Sequence, residues 1–283
     1  MDSVRPVEFI PPGSRVLTVA AHPDDETIGA AGLMCELQLR GDAALGIATV
    51  TDGAPRNNAD AVAAGFSGWA AYARARRAEL AAALERLPRG APEWFDLGFA
   101  DQDVTHSLAD VAASVRGLID VFGATIVITH PYEGGHPDHD ATALAVHAAT
   151  TGRGPAAAPP RHLEMTSYHW TGTAVATGEF LPADTPQWTL VLSDAIAAVK
   201  RQMLDCFTSQ RSTLAMFPVA PHERFRVAPR YDFRSRPCPP GGVLYERFPW
   251  GVDSARWLAC AGQALDTLHL DPDPGDRPIE PCL

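Results

Sequence analysis

Short apolar runs rich in β-branched residues alternate along this chain with longer stretches whose apolar positions recur every three or four residues. The runs at 15–20, 45–50, 93–97 and 125–129 read as strands. Residues 27–40 read as a helix that stops at Gly41, which takes a left-handed turn without steric cost. Residues 68–87 are rich in the helix formers Ala, Arg, Glu and Leu. In 107–122, Ser107 caps a face built from Leu108, Val111, Val115, Leu118, Ile119 and Phe122. Strand alternating with helix predicts an α/β fold, a parallel sheet covered by helices.

Further along, 138–149 and 195–207 read as helices, 164–168 and 188–192 as strands, and 152–160 as a loop. The character changes at 217–250, where prolines accumulate with Arg224, Arg226, Arg230, Arg234, Arg236 and Arg247. The expectation is an irregular surface wrap whose arginines pair with acidic groups, with a lid over a polar substrate as the alternative. Residues 271–283 read as a frayed tail. The expected organisation is a core over 1–215 and a Pro/Arg-rich extension over 216–283 packed on it. No internal repeat is present.

Composition sharpens this picture. The 283 residues are 46% hydrophobic and 20% charged, with 23 Gly and 25 Pro, which is ordinary for a folded protein. Net charge is −11, which argues against nucleic acid or an anionic membrane surface as the main partner. Cys35, Cys206, Cys238, Cys260 and Cys282 are odd in number and lack any CxxC, so free thiols in a reducing compartment are expected. Residues 1–10 lack a signal-peptide pattern and no run of about 18 apolar residues follows, so the expectation is a cytoplasmic protein with no membrane insertion.

Chemistry concentrates at two strand ends. The first strand runs into His22-Pro23-Asp24-Asp25-Glu26, and the fourth into His130-Pro131-Tyr132-Glu133-Gly134-Gly135-His136-Pro137-Asp138-His139-Asp140. In an open α/β sheet ligands bind beyond the carboxyl ends of the strands, where strand order reverses. A strand order 3-2-1-4 places that crevice between strands one and four and makes the two segments face each other. His22, Asp25 and His139 then supply two imidazoles and one carboxylate, leaving a fourth tetrahedral position open, the pattern of a catalytic rather than a structural zinc. Zn²⁺ in such a site lowers the pKa of its water from about 15.7 toward 7. Asp24 is the candidate general base. His136 is the candidate acid or oxyanion partner, with Asp138 holding its imidazole protonated. Glu26 and Asp140 suit helix amino termini, and His130, His106 and His147 suit structural positions.

These paired motifs resemble those of the LmbE-like, or PIG-L, family of zinc-dependent de-N-acetylases. The likeness spans roughly 16–210 and includes Thr51-Asp52-Gly53, Arg77-Ala78-Glu79, Leu97-Gly98 and Ser209-Gln210. It implies a Rossmann-like fold, the same zinc ligands, and hydrolysis of an N-acetyl group on an amino sugar or related small molecule by metal-activated water. By position, Arg56 and Asp101 match residues with which family members hold substrate. Some members carry a mobile tyrosine where this chain has Gly134, and Tyr132 is the nearest substitute. Other divalent first-row metals suit the same donors. The alternatives are a thiol-conjugate amidase of the same family, a non-catalytic sugar-binding or metal-sensing protein, and a two-metal phosphoryl hydrolase. The first strand lacks GxGxxG, which argues against a dinucleotide.

Overall fold

The computed structural model describes residues 9–151 and 158–270. Each early apolar run becomes a strand because both of its faces are covered. In β1 (Arg15–Ala20), Leu17 and Val19 pack into one helical layer and Val16 into the other. β2 (Ala44–Pro55) and β3 (Glu93–Asp101) follow, then β4 (Ile126–Thr129), buried throughout, and β5 (Arg161–Met165). The helices between them are α1 (Asp25–Arg40), α2 (Ala59–Ala63), α3 (Trp69–Leu84), α4 (Leu108–Phe122) and α5 (Pro137–Thr150). A hairpin of β6 (Tyr168–Trp170) and β7 (Val175–Thr177) precedes β8 (Gln187–Val191), α6 (Asp194–Leu204), α7 (Arg211–Leu214), β9 (His222–Val227) and α8 (Ser254–Thr267).

The central sheet has seven strands in the order β3-β2-β1-β4-β5-β9-β8. The five from β3 to β5 are parallel; β9 runs antiparallel between β5 and β8. Val16 of β1 pairs with Leu45 of β2 on one side and Ile126 of β4 on the other. The chain builds outward in opposite directions from these two strands, so the expected 3-2-1-4 order and its crevice between β1 and β4 are present. Side chains of α4, α5 and α8 fill one layer, and those of α1, α3 and α6 the other.

Several expected boundaries shift. The strand expected at 164–168 runs instead over Arg161–Met165, because its register with β4 begins at Ile126↔Arg161; Tyr168 belongs to the separate hairpin. The helix expected at 195–207 ends at Leu204. Inside the segment expected to be irregular, residues 222–227 form β9 of the central sheet. Its Arg226 is buried, donating to Glu164 (2.6 Å) and Glu133 (2.9 Å), while Arg234 pairs with Asp266 and Arg247 lies over Trp170. Asp253 caps α8, whose Trp257 is fully buried and donates to the Pro137 carbonyl at 3.2 Å, bracing the start of α5. Truncating such a tryptophan costs about 3–5 kcal/mol. The loop expected at 152–160 falls largely, and the tail at 271–283 wholly, outside the described residues.

Cys35, Cys206 and Cys260 are free, but Cys238 is disulfide-bonded, which corrects the expectation of free thiols throughout. A disulfide needs proximity in space and leaves no mark in sequence spacing, so the cysteine pattern does not argue for a reducing compartment. Among the described residues no helix is long and apolar enough to cross a membrane.

Candidate active site

β1 and β4 end side by side, and their loops enter helices whose amino termini face the same crevice. Asp24 is the residue before α1 and adopts φ 128, a strained value for a residue with a side chain. Arg76 of α3 holds it there. Its guanidinium donates to the carbonyls of Pro23 (2.6 Å) and Gly53 (2.9 Å) and to Asp24 Oδ2 (3.0 Å). Glu26 accepts from the Asp24 N–H at 3.1 Å, so it braces the turn locally. On the other side His136 caps α5, with Pro137 at the first helical position and His139 one turn inside. Gly134 has φ +70, and a Cβ there would meet Val243 at 2.6 Å, so only glycine fits. Asp140 accepts from the Gly134 N–H at 3.0 Å, pinning this loop instead of capping the helix.

The expected ligands converge on one oxygen. Asp25 Oδ2 lies 3.1 Å from His22 Nδ1 and 3.3 Å from His139 Nε2, and all three side chains are buried. Donor atoms of His22, His136 and His139 lie within 4.8 Å of one another, as do those of Asp25, His130 and His139. His130 Nε2 accepts the Ala21 N–H at 2.9 Å and lies 3.4 Å from Asp25 Oδ2. Ser167 Oγ lies 2.9 Å from His139 Nδ1, which leaves Nε2 of that ring to face Asp25.

Asp24, Asp25, Asp101 and Asp138 are all buried here, and Arg76 is the lysine or arginine among them. Buried carboxylates in excess of their counter-ions are costly, and Oδ1 of Asp138 lacks a hydrogen-bond partner, while Oδ1 of Asp101 faces His22 Nε2 at 3.1 Å. A nitrogen and carboxylate donor set with surplus negative charge fits a divalent cation.

Electrostatics follow from burial and this crowding. Burial pushes the Asp24 carboxyl up to about 8 against the pull of Arg76. Burial also opposes ionisation of Asp25, yet the imidazoles of His139 and His130 hold it well below the usual carboxylate range. Burial opposes a proton on His22, yet Asp101, Asp138 and Asp25 around it raise its pKa well above 6.5. His136 is held well below 6.5 by burial and by His22 and His139.

His22, Asp24, Asp25, Asp101, His136 and His139 line one cavity of about 310 Å³. Three other expected residues do not. Asp138, expected to hold His136 protonated, turns its carboxylate to His22 Nε2 (3.4 Å) and the Gln102 N–H (2.6 Å). It is the backbone N–H of Asp138 that His136 Nδ1 accepts, at 3.1 Å, which keeps that nitrogen unprotonated. Arg56 is drawn away by Asp52 (2.9 Å) and stacks on Trp69 at 4.0 Å. Tyr132 sits in the core among Tyr231, Phe233 and Trp257, donating to the Ser235 carbonyl at 3.0 Å. Two phenols do line the cavity, Tyr72 and Tyr168, and the Tyr168 ring packs on His139 at 5.2 Å. Asp101 lines the cavity with its Oδ1 3.1 Å from His22 Nε2.

The residues that sequence reasoning missed are Arg76, Ser167, Tyr168 and Trp250. Arg76 carried a usable signal: with Tyr72 and Leu80 it repeats every four residues on the buried face of α3, where an arginine must have a partner. The lesser motifs meet as well. Glu79 accepts from the Ser209 N–H (2.8 Å) and hydroxyl (2.6 Å), and Thr51 Oγ1 donates to the Ala21 carbonyl at 2.9 Å.

Comparison with known proteins places the chain. The family described as PIG-L: GlcNAc-PI de-N-acetylase matches residues 17–150. A 1D-myo-inositol 2-acetamido-2-deoxy-alpha-D-glucopyranoside deacetylase of Mycolicibacterium gilvum (strain PYR-GCK) is 31% identical over 217 residues, covering 65% of this chain and 70% of the relative. This chain belongs to the PIG-L family. The relative of the same name from Mycobacterium sp. (strain KMS) is 29% identical over 224 residues, 69% of this chain and 67% of the relative. Among solved structures, a deacetylase of the teicoplanin biosynthesis pathway superposes with TM-score 0.62 at 20% identity, covering 75% of this PIG-L chain and 97% of that one. That likeness shares the fold.

Proposed function

We propose that this PIG-L chain is a zinc-dependent hydrolase that removes an acetyl or other small acyl group from the nitrogen of an amino sugar. The observation that carries the reading is the convergence of His22, Asp25 and His139 in a cavity that Asp24 and His136 also line. The curated relatives support it, since their name describes deacetylation of a glucosaminide. His22, Asp25 and His139 would hold the metal. A divalent ion held there supplies a Lewis acid and brings the pKa of a water from about 15.7 toward 7.

The chain's own groups then have separate tasks. Asp24, fixed by Arg76 at the cavity wall, accepts a proton from the attacking water on its carboxylate. His136 accepts the Asp138 N–H at Nδ1, so the neutral ring carries its proton on Nε2 and acts there as a hydrogen-bond donor to the developing oxyanion. The neutral state agrees with its depressed pKa. The proton held by Asp24 passes to the departing amine, leaving acetate and the free amino sugar. Asp138 and Asp101 orient His22, and Ser167 orients His139.

Asp24→Asn tests the assignment. Acetate release is expected to fall by about 10²–10⁴ with metal content unchanged; release at the wild-type rate with metal bound would remove the base. Parallel assays on a bulky thiol conjugate decide between the deacetylase and the amidase reading.

A further inference from the structure

β3 ends at Asp101 in a tight turn closed by the Asp103 N–H on the Ala100 carbonyl at 3.3 Å. The third residue of that turn, Gln102, has φ 64, and a turn with positive φ at this position favours Gly or Asn. Such a backbone costs a residue with a Cβ free energy that its surroundings must offset. At Asp24 and Asn58, which also have positive φ, the side chain itself is engaged: Asp24 meets Arg76 at 3.0 Å, and Asn58 Oδ1 accepts the Trp69 N–H at 2.7 Å. Gln102 differs. Its backbone N–H donates to Asp138 Oδ2 at 2.6 Å, a bond that glycine would make equally well. Among the described residues its carboxamide makes a single hydrogen bond, from Nε2 to Asp60 Oδ2 at 3.4 Å, longer than the usual N–H···O range, and Oε1 accepts none.

What the glutamine provides is an amide in the cavity. Gln102 lines it, half-buried, together with Asp60 and Asp101. The turn also ties it to the reacting centre. Asp101 Oδ1 lies 3.1 Å from His22 Nε2, and Asp138 Oδ2, which holds the Gln102 N–H, lies 3.4 Å from the same nitrogen. A carboxamide offers two donors and an acceptor, where ionised carboxylates beside it only accept. That combination suits a sugar hydroxyl, which donates through its hydrogen and accepts on its oxygen.

We infer that Gln102 is a specificity-determining residue whose carboxamide holds the ring hydroxyl next to the acylamino group of the sugar, and that the left-handed turn aims it there. In a 2-acylamino glycoside this is the 3-hydroxyl, because C1 carries the aglycone. Gln102 is linked to His22 through Asp138 alone, which favours the hydroxyl nearest the reacting amide. This role rests on the deacetylase reading and adds to it a contact that selects the sugar.

The test uses the zinc-loaded full chain with methyl N-acetylglucosaminide and its 3-deoxy analogue as probes. One neutral hydrogen bond is worth about three- to tenfold in affinity, so wild type is expected to show a KM about three- to tenfold higher for the 3-deoxy analogue. Gln102→Met keeps the side-chain length without its polar atoms. It is expected to bring the two KM values within about twofold of each other by raising that of the parent glycoside. Gln102→Gly is expected to do the same while Tm stays level or rises, since the backbone strain is relieved. A wild type that does not distinguish the probes, a ratio that both variants leave at the wild-type value, or a fall in Tm of more than about 2 °C in Gln102→Gly would overturn the inference. Calorimetric binding separates this contact from the reading beneath it. Binding of the methyl glycoside that Gln102→Met weakens, with no acetate released by wild type, keeps the contact and removes the deacetylase. Acetate release with an unaltered ratio in both variants keeps the deacetylase and removes the contact.

Discussion

Arg76→Met is the most informative perturbation of the site, because it removes a cation that no other side chain can replace. Arg76 and Asp24 are both buried, with 5% and 7% of their side chains exposed, and their atoms meet at 3.0 Å. Above about pH 8, where Asp24 is ionised, removing one partner of this buried pair leaves the other charge uncompensated and costs about 3–5 kcal/mol. The carbonyls of Pro23 and Gly53 lose their donors in the same step. At about 2–3 °C of Tm per kcal/mol for a chain of this size, Tm falls by about 6–15 °C. The loss depends on pH. Asp24 in the folded protein titrates near 8, above its ordinary value of 3.8. The folded state therefore keeps a proton that the unfolded chain gives up, and the stability this contributes is present at low pH and disappears as pH rises through about 8. Without Arg76 that window extends upward, so the deficit is smallest in acid and grows toward alkaline pH. The ionised base also becomes rarer, moving the acid limb of kcat/KM to higher pH. Thermal melts and a pH–rate profile read both effects. A Tm within about 2 °C of wild type together with an unmoved acid limb would refute the reasoning.

Three further outcomes follow from individual contacts. Ser167→Ala removes the partner of His139 Nδ1 and is expected to weaken metal affinity by about 10–100-fold in a chelator competition; equal affinity would contradict the orienting role. Gly135→Ala places a Cβ 2.1 Å from the Tyr168 carbonyl oxygen, so the β4 loop or the β6–β7 hairpin must move. Its soluble yield and near-UV circular dichroism should both fall, and a native spectrum with full activity would show that the loop tolerates displacement. His162 is held at about 3 by burial and by nearby His147. Stability should decline as pH drops from about 6.5 toward 3, since the unfolded chain binds the proton that the folded one refuses. His162→Gln flattens that decline in denaturant titrations, and an unchanged slope would assign the acid sensitivity elsewhere.

The parts of this architecture that could be read from the chain are those governed by local pattern. Val16–Val19 and Ile126–Ile128 are apolar on both faces because helices cover both, and that pattern is visible without coordinates. The strand-end motifs then follow from topology, since β1 and β4 are neighbours and whatever follows them must meet. What escaped sequence reasoning was set by distant partners. β9 reads as a charged stretch, yet Glu223 accepts from the backbone of α1 and from Lys200 while Arg226 is neutralised by Glu164 and Glu133, so its charges are interior. Asp138 was assigned to its sequence neighbour His136, whereas the chain turn directs its carboxylate across the crevice to His22. Tyr132 followed the same error: its place in the motif suggested the site, but packing against Trp257 of α8 draws it into the core. α8 itself was legible in the Trp257, Ala261, Ala264 and Leu265 spacing behind Asp253, a signal overshadowed by the prolines before it.

The account rests on the loops after β1 and β4 gripping one metal ion. Crystals of the zinc-loaded protein, measured at the zinc absorption edge, test this most directly. One anomalous peak about 2.0–2.2 Å from donor atoms of His22, Asp25 and His139, with Asp24 facing it from outside the ligand sphere, is the predicted result. A peak bound elsewhere, or one that excludes His22 in favour of His130, would contradict it.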